Sequence, residues 1–383
     1  MKLCLVMLAR IEKKNNDYFL DKKNINVINR YLKYFDEVCV VARKTKKSNS
    51  LYPREVFRHE KVTFSLYEEL EKIYNFPNYI RKFKAILKKN IYNSDLILCW
   101  AEPKTNIIIN EAKKLNKTNM IYVGVCTRDA LRAKRNLAKK FAGWIFYFTI
   151  RNAVKKADYV HYVTDKELQR RYPTSSKQIG SSYVNVNTQV SEKYKAEKVQ
   201  GYKKEKKHIQ LGLIGYLNEI KGIDTAIFAL SKLDSCYRLK VLGGGEKEYY
   251  KTLAKQCGVQ NRIEFEGTLP PGEPIFEWLD KIDIYIQPSR TEGLPRATIE
   301  AMSRGCPIVT STAMGLIELT DEKWRHKPGD WKTLAYLIQK LAQNKTELSK
   351  QSARSFNVVK KYDRDVLDNK IDIFFKEILN NIS

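Results

Sequence analysis

IDIYIQPSRTEGLPRATIEAMSRGCPIV, residues 282–309, reads in succession as strand, loop, helix, cap and strand. The runs 282–288 and 307–311 are short and apolar, and a helical pattern lies between them, as in a βαβ unit. Pro295 suits the first helical turn, where its missing N–H is not needed. Gly305 suits the left-handed position just past the helix end. In open α/β sheets ligands bind beyond the carboxyl ends of the strands. A helix N-terminus there offers unpaired N–H groups and about half a positive charge. Gly293 lets the backbone approach an anion closely. The loop is therefore fit to hold a diphosphate or the sugar attached to one.

Two glutamates, Glu292 and Glu300, flank that helix mouth eight positions apart. A carboxylate only accepts hydrogen bonds and has two oxygens, which suits the vicinal diol of a sugar or ribose. Two plainer readings stand beside this one. Glu300 can pair with Arg296 at i, i+4 on a wet face, and Glu292 can serve as a first-turn helix acid.

The same alternation runs through the chain. Strand-like runs at 3–8, 36–42, 95–100, 120–124 and 159–164 are separated by Lys-rich helical segments such as 81–90 and 105–115. Short apolar runs bounded by helical patterns indicate parallel strands buried on both faces. The second half repeats this, with strands at 209–215, 237–243, 262–267, 282–288 and 307–311. The fold class is α/β: two Rossmann-like βαβ domains, at 1–190 and 208–362, facing an interdomain cleft. Residues 191–207, SEKYKAEKVQGYKKEKK, have few apolar residues and read as a linker, with a frayed helix as the alternative. Residues 363–383 place apolar side chains at helical spacing and are expected to pack back on the first domain.

Two more strand-to-helix loops resemble the first. GLIGYLNEIKG puts Gly215 and Tyr216 after a strand and Lys221 at a helix entrance, where a lysine is a compact cation for phosphate, or simply a surface residue. LGGGE carries Gly243, Gly244 and Gly245, which permit close backbone approach to a nucleotide or make a tight turn. Three such loops in one domain argue more strongly than any one.

Composition bounds the partners. The 383 residues carry 70 Lys and Arg against 43 Asp and Glu, a net charge of +27. Such a field attracts polyanions: nucleic acid, anionic lipid or phosphorylated substrates. A hydrophobic content of 43% excludes a disordered chain. The seven cysteines are scattered, with no CxxC pair or Cys/His cluster, so reduced core thiols in a cytoplasmic protein without a zinc site are expected. MKLCLVMLAR is too short in its apolar run for a signal peptide and reads as a first strand.

Taken together, IGYLNEIKG, VLGGGE, NRIEFEGTL and the E-x7-E pattern of Glu292 and Glu300 resemble the GT-B glycosyltransferases, in particular glycosyltransferase family four. YVTDKELQRRYP (162–173) looks like a segment of the bacterial polysaccharide glycosyltransferases of this kind. The resemblance implies a retaining, metal-independent transferase, a hexosyltransferase, using a nucleotide-sugar as substrate and no cofactor. It implies that Glu292 contacts the sugar hydroxyls, that the amides of Gly293 and Leu294 bind sugar or diphosphate, that Glu300 holds the ribose and that Lys221 neutralises the diphosphate. It places Gly243 and Gly244, with Arg262 and Ile263, near the base. The chain departs from the family pattern in the first phosphate loop, where Tyr216 replaces an Arg; Arg290 is the candidate substitute. ARIEKKNNDYF stands where relatives carry a glycine pair, and Asp129 is the candidate for a missing N-domain histidine.

Residues 130–157 hold eight Lys or Arg, among them Arg132, Arg135, Lys139 and Lys140, and no acid. Between them FAGWIFYFTI (141–150), with Trp144, is too short to span a bilayer. It suits an interfacial segment on an anionic membrane or a buried helix with solvated flanks. On the first reading the protein is peripheral at the inner face of the membrane. The acceptor is then a lipid-linked or polysaccharide glycan in capsule, O-antigen or wall polymer synthesis. The rivals are a basic nucleic-acid-binding protein, for which no motif appears, and a non-catalytic sugar-binding chain.

Overall fold

The computed structural model describes residues 1–45, 54–68, 76–132, 137–180, 186 and 188–382. The first domain contains β1 (Lys2–Lys14), β2 (Asp17–Asp21), β3 (Glu37–Thr45), β4 (Arg54–Phe57), β5 (Val62–Tyr67), β6 (Leu96–Trp100), β7 (Thr118–Val123), β8 (Tyr159–Tyr162) and β9 (Lys177–Ile179). Its parallel strands lie in the order β5-β3-β1-β6-β7-β8-β9. The second contains β10 (Ile209–Ile214), β11 (Tyr237–Leu242), β12 (Ile263–Gly267), β13 (Ile284–Gln287), β14 (Ile308–Ser311) and β15 (Arg325–His326), all parallel, in the order β12-β11-β10-β13-β14-β15. In each sheet the chain starts in the middle, builds to one edge and returns to build the other. The strand order therefore reverses between β1 and β6 and again between β10 and β13. At such a point the loops leave in opposite directions and open a crevice.

Side-chain alternation explains why both faces of the sheets are buried. In β1, Cys4 and Val6 enter one apolar cluster while Leu3, Leu5 and Met7 enter another. The second cluster is closed by the last helix, Arg364–Ile382, through Ile371, Phe374, Phe375 and Ile378. The Phe375 ring stacks on Tyr34 at 4.6 Å. The C-terminal helix thus returns to the first domain as expected.

Residues 191–207 form no free linker and take the helical alternative. Ser191 caps a helix, Glu192–Gly201, accepting from the Tyr194 amide at 3.2 Å. That helix docks on the second domain: the Tyr194 hydroxyl donates to Asp280, and the Arg304 guanidinium lies 4.2 Å from the Tyr194 ring. Its anchors, a tyrosine and a few small apolar residues, are outnumbered by charges. ARIEKKNNDYF, which stands where relatives carry a glycine pair, forms a hairpin. β1 runs on to Lys14, turns at Asn15 (φ +52°) and pairs antiparallel with β2, Lys14 opposite Asp17. Asn15 is of a residue type that tolerates positive φ, and with Asn16 it makes a two-residue turn.

The domains touch through specific groups. The Glu318 carboxylate of the second domain accepts from the amides of Asp165, Lys166 and Glu167 in the first, at 2.8, 2.9 and 2.8 Å. Those amides belong to YVTDKELQRRYP and open the short helix Glu167–Arg171, so the carboxylate acts as an N-terminal cap supplied across the interface. Leu294 and Met314 extend the apolar cluster of the first domain.

Candidate active site

The loops after β10 and β13 meet at the second domain's reversal point. Asn218 accepts from the Ile220 amide and opens a single 3-10 turn, Glu219–Lys221. Gly222 follows in the left-handed region at φ +68°. A Cβ there would lie 2.1 Å from the Pro288 carbonyl oxygen, so only glycine lets the two loops close on each other. Arg290 locks the junction. Its amide donates to the Ile220 carbonyl at 2.7 Å, and its guanidinium grips Asp224 at 3.0 and 2.6 Å and the Glu219 carbonyl.

This packing sets Lys221. Its stem crosses Gly215, where an added Cβ would meet the lysine Cδ and Cγ at 3.0 Å. Its Nζ donates to Glu292 Oε1 at 2.6 Å. The same oxygen accepts from Ser289 Oγ at 2.7 Å. Behind it a buried relay continues: Gln287 Nε2 donates to Ser289 Oγ at 2.8 Å, and the Tyr285 hydroxyl donates to Gln287 Oε1 at 2.6 Å. Burial raises the Tyr285 pKa well above its ordinary value, so this donor stays protonated. The relay aims Ser289 and thereby holds the Glu292 carboxylate beside the lysine.

Beside Gly215 opens a cavity of about 400 Å³, lined by Gly215, Tyr216, Gly243, Gly244, Thr268 and Leu269 among others. It joins the first and second glycine loops. Thr268 and Leu269 were missed, although they directly follow the run RIEFEG and so sit at the carboxyl end of β12. A larger cavity, about 500 Å³, lies among Lys84, Lys113, Lys114 and Lys156 on helices of the first domain, away from either reversal point.

Glu300 is turned inward, its side chain 14% exposed, and Arg296 reaches it only at 3.8 Å. Burial raises its pKa, with Arg296 partly offsetting the shift. The i, i+4 pair therefore exists but does not hold Glu300 on a wet face. Pro295 stands at the N-cap position of the helix Arg296–Ser303, and no side chain caps the helix. Gly305 adopts φ +68°, as expected for its cap.

One expected placement changes. Arg262 and Ile263 lie at the amino end of β12, opposite the cavity, because the strand begins there. The Arg262 guanidinium instead donates to the Leu230, Leu233 and Asp234 carbonyls at the end of the helix Ile223–Leu230. Arg290 is held by Asp224 and by the Glu219 carbonyl, where it braces the junction of the two loops. Asp129 is bound by Arg128 at 3.2 Å and by Arg171 at 3.0 Å, within the first domain. Among the expected membrane residues, Arg132, Lys139 and Trp144 are exposed and Lys140 is half-buried; Arg135 lies outside the described residues.

The first domain has its own buried polar group at the β1–β6 reversal. Glu102 and Lys104 follow β6, with Nζ donating to the Tyr67 hydroxyl at 2.6 Å and to Tyr79 at 3.4 Å. Burial raises the Glu102 carboxyl and pushes Lys104 down to about 8, while each charge partly steadies the other across 3.8 Å. The sequence reading passed over this pair, because AEPKT carries no glycine or paired acid to mark it.

Residues 195–357 match the family profile described as "Glycosyl transferases group 1". By that match and by its fold the chain is similar to the GT-B glycosyltransferases. It is similar to "Protein CapJ" of Staphylococcus aureus, 29% identical over 97% of this chain and 91% of that one. It is also similar to the "Amylovoran biosynthesis glycosyltransferase AmsK" of Erwinia amylovora, 31% identical over 35% of this chain and 36% of the relative. In fold, the chain resembles HepE of Anabaena, solved in complex with UDP, with a TM-score of 0.67 at 15% identity over 98% and 100% of the two chains.

Proposed function

We propose that this protein is a glycosyltransferase that takes a sugar from a nucleotide-diphosphate donor at the β10–β13 crevice. It passes the sugar, with retention and without a metal, to a lipid-linked glycan in bacterial surface polysaccharide assembly. The observation that carries the reading is Lys221, its stem across Gly215 of the cavity and its ammonium 2.6 Å from Glu292. Support for the process comes from AmsK, whose name places it in amylovoran biosynthesis, and for the nucleotide from HepE, whose title names UDP.

Breaking the sugar–phosphate bond moves negative charge onto the leaving diphosphate. Lys221 and the uncapped N-terminus of the helix Arg296–Ser303 stabilise that charge where it develops. Glu292, aimed by Ser289, accepts from sugar hydroxyls and sets the anomeric carbon. Glu300 accepts from the ribose diol. The acceptor hydroxyl attacks from the same face, its proton leaving with the departing phosphate, and the buried Glu102–Lys104 group borders the acceptor side. Holding donor and acceptor together supplies much of the rate.

The direct test is stabilisation by ligand. A nucleoside diphosphate or its sugar at 100 times its Kd is expected to add about 2.7 kcal/mol. A panel in which no such compound raises the melting temperature overturns the reading; the sugar that releases free nucleotide in the presence of acceptor identifies the donor.

A pH dependence follows from Glu300. Its folded pKa lies above the ordinary 4.5, so the charged form is penalised on folding. Unliganded stability is therefore higher below that window and falls as pH rises through it. Only the carboxylate serves as a pure acceptor for ribose, so nucleotide affinity is expected to run the other way. It should weaken on acidification at a higher pH than an ordinary glutamate would impose. Calorimetric Kd values across the mildly acidic range check this, and Glu300→Gln is expected to bind more weakly at neutral pH with that dependence removed.

A further inference from the structure

The helix Leu137–Lys156 is apolar almost all round, yet only one side of it is covered. Gly143, Tyr147, Ile150, Ala153 and Val154 face the core of the first domain. On the opposite side Leu137, Phe141, Trp144, Ile145 and Phe148 form a second stripe at helical spacing, each between 48% and 78% exposed. A helix apolar all round is ordinarily buried on every side or set against lipid. Other exposed apolar side chains, such as Tyr249, Tyr336 and Ile373, lie on separate helices, which is normal for a surface. The stripe is held in shape: Trp144 and Phe148 stack with centroids 6.0 Å apart, and the Arg128 guanidinium lies 4.8 Å from the Trp144 ring. From Leu137 to Phe148 it spans about 16 Å.

Charge decides the occupant. Lys139 and Lys140 stand at one end of the stripe and Lys155, two turns beyond Phe148 on the same helical face, continues it at the other, and no acid occurs in residues 130–157. A second copy of the chain would bring its own net +27 and the same lysines against these. An anionic bilayer complements both the lysines and the apolar row between them. Among the described residues no helix is long and apolar enough to cross a membrane. We infer that the outer face of this helix is a docking surface for anionic lipid, lying in the plane of the interface with its aromatic row in the acyl boundary.

The placement matters for the reaction. The helix follows β7 and leads into β8, antiparallel to both, so its exposed half lies toward the carboxyl ends of the strands, where the second domain sits. Docking there brings the cleft to a membrane-borne acceptor. This last step rests on the function proposed above; the lipid binding does not.

Flotation of the full chain with vesicles tests the surface. Phosphatidylglycerol–cardiolipin vesicles are expected to carry the protein, phosphatidylcholine vesicles much less, and added salt should reduce the bound fraction. Phe141→Ser/Ile145→Ser/Phe148→Ser is expected to lower partitioning about tenfold or more, since it removes the apolar insertion. Lys155→Gln is expected to cost about fivefold on anionic vesicles only. Melting temperature and nucleoside-diphosphate Kd of the triple variant should match the parent. Equal flotation of parent and triple variant overturns the inference. So does a dimer that the triple substitution dissociates without changing flotation, or duplex DNA retained where vesicles are not. A parent chain that binds nucleotide but floats with no vesicle sinks only the docking surface; a parent chain that floats but binds no nucleotide sinks only the donor reading.

Discussion

Lys221→Ala is expected to lower turnover by about 10²–10³-fold while leaving the protein folded. The side chain is 24% exposed and lies on the wall of a crevice, so its loss opens no core cavity. What it removes is a charge aimed at a fixed place. The stem is confined against Gly215 and the ammonium is delivered to Glu292 Oε1, with Ser289 on the same oxygen. Without the lysine, Glu292 keeps the hydroxyl but loses its counter-charge, and a donor diphosphate would meet a bare carboxylate. Lys221→Arg is expected to rescue poorly, because a planar fork does not fit a slot shaped for a straight stem. Glu292→Gln gives the matching result from the other side, keeping the shape and removing the charge. If the two groups act as one unit, the double variant should be little worse than either single variant. Nucleotide release under saturating donor measures all four variants. A Lys221→Ala enzyme turning over at the parental rate would falsify its role.

The βαβ architecture was legible because parallel strands buried on both faces leave short apolar runs that helical patterns separate. The ten predicted strand runs all fall on strands of the structure, from β1 to β14. The strands left out, β2, β4, β5, β9 and β15, are edge or hairpin strands. VTFSLY in β5, for example, is half-exposed along much of its length. Site residues were legible in proportion to how local their roles are. Glu292, Lys221, Gly215 and Gly243 sit in loops whose own sequence places them at strand ends. The partners of Arg290, Arg262 and Asp129 were not legible because a charged side chain's target is a long-range fact. Arg290 finds Asp224, Arg262 finds the carbonyls near Leu230 and Asp129 finds Arg171, each tens of residues away, although Asp129 also pairs with its neighbour Arg128. The Tyr285–Gln287–Ser289 relay escaped for a related reason. Its members alternate along β13 and its loop, a spacing that any strand would show.

Gly293→Ala is expected to cut activity on the order of 100-fold with little loss of stability, since displacements of about 1 Å at a reacting centre cost that much. The residue follows Glu292 directly, and it packs tightly against the first domain. A Cβ on Gly293 would lie 2.2 Å from the Gly124 carbonyl oxygen, at the carboxyl end of β7 in the first domain. The contact is backbone against backbone, so no side chain can swing aside. Relief requires the domains to separate here or the Glu292 loop to retreat, and either one moves the carboxylate relative to whatever the first domain holds. Because the strain lies between domains, opening can release it and each core stays packed. Gly315→Ala provides the contrast. Its Cβ would lie 1.6 Å from the Gly293 carbonyl oxygen, within the same domain and with no hinge to absorb it. That variant is expected to lose stability as well as activity, by about 1–3 kcal/mol, the usual cost of overpacking. Thermal melts beside turnover numbers separate the two. If Gly293→Ala melts early while its surviving folded fraction works at full rate, the close approach serves packing alone. If it melts normally and turns over slowly, the contact with Gly124 sets the distance between the sugar held by one domain and the acceptor held by the other.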